Sequence, residues 1–456
     1  VKEQNLNVLP YDMTSVGVEE RTGVYDDFAR KVESFQPDLL AVSATEDMFL
    51  LGIRMLRRVR HLKVPTILGG VFSTFAPELA LSYPEIDMIC IGEGEHCLVQ
   101  LCRKMANGDD YSGVTNLWSK ARDGSIVRTG MSDPIDVNAT PLPNIGIFDK
   151  WRLYRPMAGQ VYRMLPVETH RGCPYTCAFC NSPGKVDLYR EQTGKNFFRK
   201  KSFEKIREEI RFYIDNWDVE YLYFWADTFL AWTSKEFDEF CDMYSEFKLP
   251  FWCQTRPETV NDYNIKRLKE VGLHRLSFGI EHGNEKFRSE TISRHFANDR
   301  IIEALKVPKQ YDVSFSVNNI IGFPHETREL AEDTIRLNRQ IDADNFNCYA
   351  FSPFHGTPLR REAERLGLID PDKITMSLTR GSILDLPGFS KEQILGMMRT
   401  FVMYVKFPES RFPEIRKAEA FTPQGDKIWN KLREEYIEEF YETDEVTMGI
   451  EEAAMN

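Results

Sequence analysis

Apolar positions in the first quarter of the chain fall in short continuous runs, separated by amphipathic stretches. "DLLAVSAT" (38–45), "VPTILGG" (64–70) and "IDMICIGEGE" (86–95) lack polar alternation, as expected of strands covered on both faces. "YDDFARKVESF" (25–35) puts Phe28, Val32 and Phe35 at helical spacing. "FLLGIRMLRRVRHL" (49–62) and "HCLVQLCRKMANG" (96–108) are amphipathic helices, the second closed by Gly108. "PELALSYP" reads as a short helix and "NLNVLPYDM" (5–13) as a further strand. The alternation predicts an α/β, Rossmann-like doubly wound sheet over residues 1–130. Ligands of such sheets bind outside the carboxyl ends of the strands. The loops there, 43–45, 69–74 and 92–95, are rich in Gly or Ser, which lets a ligand approach the backbone.

Periodicity weakens from about residue 109. Pro134, Pro141, Pro143 and Pro156 mark a connector, with 131–160 as linker. Alternation then resumes with a longer period. Strands are expected near 164–170, 219–226, 250–255, 274–281, 313–322 and 345–351, and helices near 202–216, 234–246, 261–271, 297–308 and 327–340. Six βα units over 161–360 predict a partial (β/α)6 barrel, whose chemistry belongs at the carboxyl ends of its strands. Residues 361–456 are helical by pattern, with an acidic end that reads as a solvated helix and a frayed tail.

Composition narrows the class. A net charge of −12 argues against nucleic acid as the main partner. No apolar run reaches membrane-spanning length, and "VKEQNLNVLP" is no signal peptide. The absence of an initial Met suggests a trimmed front. Nine cysteines, an odd number with no secretion signal, point to reduced thiols and a cytoplasmic location.

Three of those cysteines fall within "THRGCPYTCAFCNSPG" (169–184), as Cys173-x3-Cys177-x2-Cys180. Structural zinc wants four ligands, and no matching Cys or His pair is nearby. His170 precedes the loop and reads as the end of a strand. A [4Fe–4S] cluster normally takes four cysteines. Three suffice where a non-protein ligand takes the fourth iron, and this reading is favoured over zinc or an incidental cluster.

The CxxxCxxC spacing, with Phe179 just before the last Cys, resembles the signature of the radical S-adenosylmethionine (SAM) superfamily. The resemblance implies that the three thiolates hold a [4Fe–4S] cluster, that SAM chelates the open iron, and that one electron yields a 5′-deoxyadenosyl radical. "YFWADTFLAW" is similar to a second-strand segment of the cobalamin-binding branch. It implies that Asp227 accepts from the SAM amino group, although Ala226 stands where that branch has a second Asp. "LSFGIEHGNE" resembles the fourth-strand segment, with Glu281 on the ribose hydroxyls and Gly279 allowing close approach. "VNNIIGFPHET" resembles the fifth-strand glycine motif, with Gly322 and Pro324 against the adenosyl group. "FSPFHGTPL" resembles the sixth-strand segment, with Gly356, Thr357 and Pro358.

In front of the barrel, "FQPDLLAVSAT", "VPTILGGVFSTFAPE" and "IDMICIGEGE" resemble the cobalamin-binding domain of one branch of the superfamily. This implies that Ser43, Gly69, Gly70, Ser73, Gly92, Glu93 and Gly94 hold the corrinoid. No Asp-x-His-x-x-Gly motif occurs, and His61 reads as a helix-end residue, so a histidine on cobalt is not supported. Together the domains imply radical methyl transfer from methylcobalamin to an unactivated centre of a small molecule, lipid or natural-product precursor. The partners expected are that substrate and an external one-electron reductant of flavodoxin or ferredoxin type. The alternatives are oxidative cyclisation or rearrangement without net methylation, or a non-catalytic corrinoid or redox carrier. A methylthiotransferase would need a second cysteine trio, whereas Cys90, Cys97 and Cys102 lie on one strand and one helix. Cys253 and Cys348 read as core thiols. Arg256 is read evenly as an anion ligand or an ion-pair partner, and Tyr349, Phe351, Phe354 and His355 as candidates for a pocket wall.

Overall fold

The apolar runs of the N-terminal region become neighbouring strands of one sheet in the computed structural model, which describes residues 22–121, 123–376 and 381–440. The chain runs α1 (Thr22–Phe35), β1 (Leu40–Ser43), α2 (Glu46–Val59), β2 (Thr66–Gly69), α3 (Val71–Phe75), α4 (Pro77–Ser82), β3 (Met88–Cys90) and α5 (Glu95–Asn107). β1, β2 and β3 are parallel and adjacent in that order. Gly108 closes α5 in the left-handed region, as expected. The strand expected at 5–13 lies outside the described residues.

The connector expected from 109 is partly sheet. β4 (Leu117–Lys120) and β5 (Ile126–Arg128) extend the first sheet as antiparallel strands. Runs of four and three residues are too short to show a period, so the pattern hid them. β6 (Tyr154–Met157), inside the expected linker, forms a hairpin with β7 (Gln160–Glu168) at one edge of the second sheet.

That sheet is built as anticipated. After β8 (His170–Arg171), α6 (Asn181–Thr193) and β9 (Arg199–Lys200), the chain continues through α7 (Phe203–Trp217), β10 (Tyr221–Trp225), α8 (Ser234–Tyr244), β11 (Phe251–Thr255) and α9 (Asp262–Val271). Next come β12 (Leu273–Glu281), α10 (Glu285–Glu290), α11 (Asn298–Gln310), β13 (Ser314–Ile321), α12 (Arg328–Asn338) and β14 (Asn345–Ala350). Six parallel strands, β7, β10, β11, β12, β13 and β14, stand side by side in chain order, and β14 and β6 are the open edges. This is a partial (β/α)6 barrel.

Its core lies on the face under the helices. Phe224, Phe251, Cys253, Phe278, Phe315, Val317 and Ile321 are fully buried there. Phe224 sits 5.3 Å from both Phe240 and Tyr244 of α8. Cys253 is a core thiol, as read from the sequence. α13 (Pro358–Arg365), α14 (Lys391–Lys406), α15 (Phe412–Ala418) and α16 (Pro423–Phe440) make the helical C-terminal region. The acidic tail beyond α16 lies outside the described residues.

Candidate functional site

The three cysteines lie on the loop between β8 and α6, at the carboxyl end of the first barrel strand. The helix after them escaped the sequence reading because it has almost no apolar face. Cys180 caps α6, its Sγ accepting from Ser182 N at 3.4 Å. Cys173 Sγ lies 3.6 Å from Thr228 Oγ1. Arg256 Nη1 donates to Cys177 Sγ at 3.1 Å. Burial pushes the Cys180 thiol up to about 12 and raises Cys173 as well. Such thiols stay protonated unless a metal takes the proton's place, as metal coordination does outright. Among the described residues no three Cys, His, Asp or Glu side chains converge on a single metal position. In a [4Fe–4S] cluster each thiolate takes its own iron. His170 is held by Thr169 Oγ1 at 2.9 Å and packs 4.0 Å from the Trp232 ring. Burial, helped by Lys200, lowers its pKa to about 3, so it is a neutral packing residue under the loop.

The other barrel residues gather around this loop. Asp227, two residues beyond β10, accepts from Ser182 Oγ of α6. Phe179 packs against the barrel core, its ring 6.3 Å from Phe323. Glu281 ends β12 with a φ of +70°, where the register to β13 slips. A bulge re-aims a side chain, and a non-glycine residue held in the left-handed region marks an over-determined position. Here the carboxylate folds back over Gly279, where a Cβ would overlap Glu281 Oε1. The room at Gly279 is thus taken by Glu281 itself. Burial raises the Glu281 pKa against the pull of Arg294, whose Nη1 donates to Oε1 at 2.9 Å. Gly322 turns with a φ of +87°, and α14 covers it through Ile394.

Arg256 pairs with Glu258, as the ion-pair reading expects, and stacks 3.8 Å over the Tyr175 ring. Glu258 also faces Arg294 at 3.7 Å. A continuous chain of charge therefore runs from Cys177 through Arg256, Glu258 and Arg294 to Glu281. Glu326 and His282 were not foreseen. Both side chains are fully buried and 3.0 Å apart. The other oxygen of Glu326 accepts from Gly322 N at 2.5 Å and Phe323 N at 2.8 Å, which fixes the glycine turn.

The carboxyl edge of the N-terminal sheet docks on this same end of the barrel. Glu46 of α2 accepts from His355 N and Thr375 N, both at 2.8 Å. Phe75 fills the space over Gly356 and Gly184. His355 and Gly356 are thus interdomain residues, and Phe351 is core. Among the residues assigned to the corrinoid, Ser43 is exposed at the end of β1, Gly69 ends β2 and Gly94 precedes α5. Gly70, with φ +102°, is required because a Cβ would come 2.6 Å from Ala44 O. Ser73 is turned inward and donates to Cys90 O at 3.0 Å.

Two of these residues meet protein instead. Gly92 faces α6, where a Cβ would lie 2.5 Å from the Tyr189 hydroxyl, so its close neighbour is protein. The Glu93 carboxylate also points to the barrel. It accepts from Arg171 at 2.7 Å, from Arg199 at 2.6 and 3.0 Å, and from Ile135 N at 2.9 Å. A carboxylate with four such donors is a clamp between domains and has no capacity left for a ligand. Arg171 opens the cysteine loop and Arg199 lies in the basic stretch "FFRKK", but nothing there named their partner.

The comparisons with known proteins agree with this arrangement. The Radical SAM superfamily model matches residues 167–337, and the B12 binding domain model matches residues 6–102. An uncharacterized methyltransferase of Pyrococcus horikoshii is 27% identical over 391 residues, 84% of this chain and 81% of its own. The anaerobic magnesium-protoporphyrin IX monomethyl ester cyclase of Rubrivivax gelatinosus is 24% identical, covering 86% of this chain and 71% of its own. The structure of the radical SAM methyltransferase TsrM from Kitasatospora setae, with cobalamin and a [4Fe–4S] cluster bound, has the same fold. Its TM-score is 0.63 at 14% identity, over 91% of this chain and 92% of that one. With a B12-binding domain docked on the cysteine-bearing end of a partial barrel, this chain belongs to the radical SAM enzymes that carry a cobalamin-binding domain.

Proposed function

We propose that this enzyme transfers a methyl group to an unactivated centre of a small molecule. The observation that carries this reading is the meeting of three elements at one end of the barrel: the cysteine loop, the Asp227 and Glu281 carboxylates, and the docked edge of the B12-binding domain. Cys173, Cys177 and Cys180 would hold the cluster, and Ser43, Gly69, Gly70 and Gly94 would line the corrinoid crevice. When bound, the cluster supplies the electron that cleaves SAM and the corrinoid supplies the methyl group.

The chain's own residues position and insulate. Asp227 offers a carboxylate to an amino group beside the loop. Glu281 offers one to a pair of hydroxyls. Arg294 donates to that carboxylate and offsets part of the burial that raises its pKa. Phe179, half-buried beside the loop, would offer an apolar surface to a flat ring. Arg256 places positive charge on the Cys177 sulfur, which favours acceptance of an electron there. The interdomain contacts through Glu46, Glu93 and Phe75 would limit the access of water to this end of the barrel.

A second reading, oxidative cyclisation without methylation, is favoured by the cyclase relative. Anaerobic turnover with methyl-labelled SAM separates the two. Label recovered in the product supports methyl transfer. Substrate consumed without label in the product overturns it in favour of cyclisation. The reading further expects an external one-electron donor of flavodoxin or ferredoxin type. Among the described residues no helix is long and apolar enough to cross a membrane.

A further inference from the structure

The barrel sheet has two unlike faces. Right-handed crossovers between strands in chain order put every connecting helix on one side. That side is apolar and buried. The opposite side carries the alternate residue of each strand, mostly half-buried and with a different chemistry. In register across it stand Tyr223, Trp252, Arg275 and Ser314. One layer nearer the carboxyl ends stand Gln254, Ser277 and Ser316, and above them Asn318 and Asn347.

The face divides into an aromatic half and a neutral polar half. The Tyr223 ring lies 6.3 Å from Trp225 and 6.4 Å from Trp252, and Trp225 is 56% exposed. An indole at a strand end with more than half its surface open is a ready stacking platform. Next to it runs a ladder of uncharged groups. Trp252 Nε1 donates to Ser277 Oγ at 3.1 Å, Ser277 and Ser316 hydroxyls are 2.7 Å apart, and Asn347 Nδ2 donates to Asn318 Oδ1 at 2.9 Å. This row leaves no continuous aliphatic lining of the kind a lipid needs.

Two cations stand at the aromatic half. Arg155 reaches over from the edge hairpin, its guanidinium 5.8 Å from the Tyr223 ring. Arg275 shares the Tyr223–Trp252 layer. Both are half-buried, and among the described residues neither forms an ion pair. Arg171, Arg199, Arg256 and Arg294 at the other end of the strands are all paired. A partly desolvated guanidinium without a carboxylate is matched by a planar anion, which it binds through two parallel hydrogen bonds.

We propose that this face is the substrate slot and that the substrate is a planar aromatic carboxylate. Its ring lies against Tyr223, Trp225 and Trp252, its carboxylate meets Arg155 and Arg275, and its far edge points toward Glu281. This assignment deepens the methyl-transfer reading and rests on it for where the reaction occurs.

Binding tests it without turnover. The reconstituted, unreduced holoprotein is titrated with 2-naphthoate, 2-naphthamide and cyclohexanecarboxylate by calorimetry. The expected result is 2-naphthoate binding at least about tenfold tighter than either of the others, since a charge-assisted pair is worth roughly that factor or more. Arg275→Gln is expected to abolish the preference for acid over amide, and Arg275→Lys to keep part of it. Trp252→Leu is expected to remove the preference for the aromatic ring. Arg155→Gln repeats the charge test should Arg275→Gln fail to fold. Equal binding of acid and amide overturns the proposal, as does a preference unchanged in both arginine variants. A methylation assay that fails while 2-naphthoate binds as described sinks the methyl-transfer reading alone. Methylation of a substrate without a ring or an acid, with no 2-naphthoate binding, sinks the slot alone.

Discussion

Replacing Glu93 by Gln should loosen the two domains from each other while leaving both sheets folded. The side chain is 7% exposed, and its oxygens accept four hydrogen bonds, three of them from the guanidinium groups of Arg171 and Arg199. Removing one partner of a buried ion pair costs about 3–5 kcal/mol. Two features reduce that here. The guanidiniums are 22% and 17% exposed, and Arg171 keeps Glu168 at 3.0 Å and Glu95 at 2.7 Å. Gln also retains an acceptor for Ile135 N. The expected loss is therefore about 2–3 kcal/mol of docking free energy. Hydrogen–deuterium exchange reads this locally, as amides at the interface that become about 30- to 150-fold less protected. Those amides are Glu93 N and Gly92 N from one domain and Lys201 N from the other. The control is Glu95→Gln, whose side chain is 42% exposed and whose effect should stay below about 1 kcal/mol. Exchange in Glu93→Gln within about threefold of wild type would refute the clamp, and so would an equal effect of Glu95→Gln.

The same interface should be acid-sensitive. Burial opposes ionisation of Glu93 and Glu46, but Arg199 and Arg171 on the first, and His355 with the Thr375 and His355 backbone donors on the second, outweigh it and hold both pKa values low. Their contribution is complete above the ordinary carboxylate value of about 4.3 and is lost as pH falls through the lowered values; limited proteolysis of residues 131–150 from pH 7 to 3 should show cleavage appearing only at the acid end. Gly92→Ala combines a φ of +74° with a Cβ 2.5 Å from the Tyr189 hydroxyl, and should cost about 2 kcal/mol or more by urea unfolding, with Tyr189→Phe relieving part of it. Arg256→Gln removes a cationic donor from the Cys177 sulfur, and anaerobic redox titration should find the cluster potential lowered by roughly 50 mV or more. An unchanged potential would mean that Arg256 serves the ion pair with Glu258 alone.

Much of this fold was written in the chain's periodicity, and the exceptions have physical causes. All six parallel barrel strands fall where apolar runs placed them, because strands covered on one face by helices keep a strong pattern. β4, β5 and β6 were invisible, since three or four residues carry no period and Pro156 reads as a linker residue. α6 was missed because its polar surroundings give it no apolar stripe. At the site, Cys173, Cys177 and Cys180 stand out by their spacing, and Asp227 and Glu281 only by the resemblance of their segments to a known family. The network joining them was not legible. Arg256, Glu258 and Arg294 are ordinary charges in sequence, and only the bulge at Glu281 brings the last of them into line. Gly92 and Glu93 show the opposite failure. A Gly-rich strand end signals close approach, but the sequence does not say whether a ligand or another domain does the approaching.

The central claim is that three thiolates leave one iron open for SAM under the control of this site. Its most direct measurement is 5′-deoxyadenosine formed on reduction of the anaerobically reconstituted protein with SAM, comparing wild type with Cys177→Ala. The account predicts deoxyadenosine from the wild type, carrying iron near four per chain as a [4Fe–4S] cluster requires, and none above background from the variant. Equal deoxyadenosine from the variant, or none from a fully iron-loaded wild type, would contradict it.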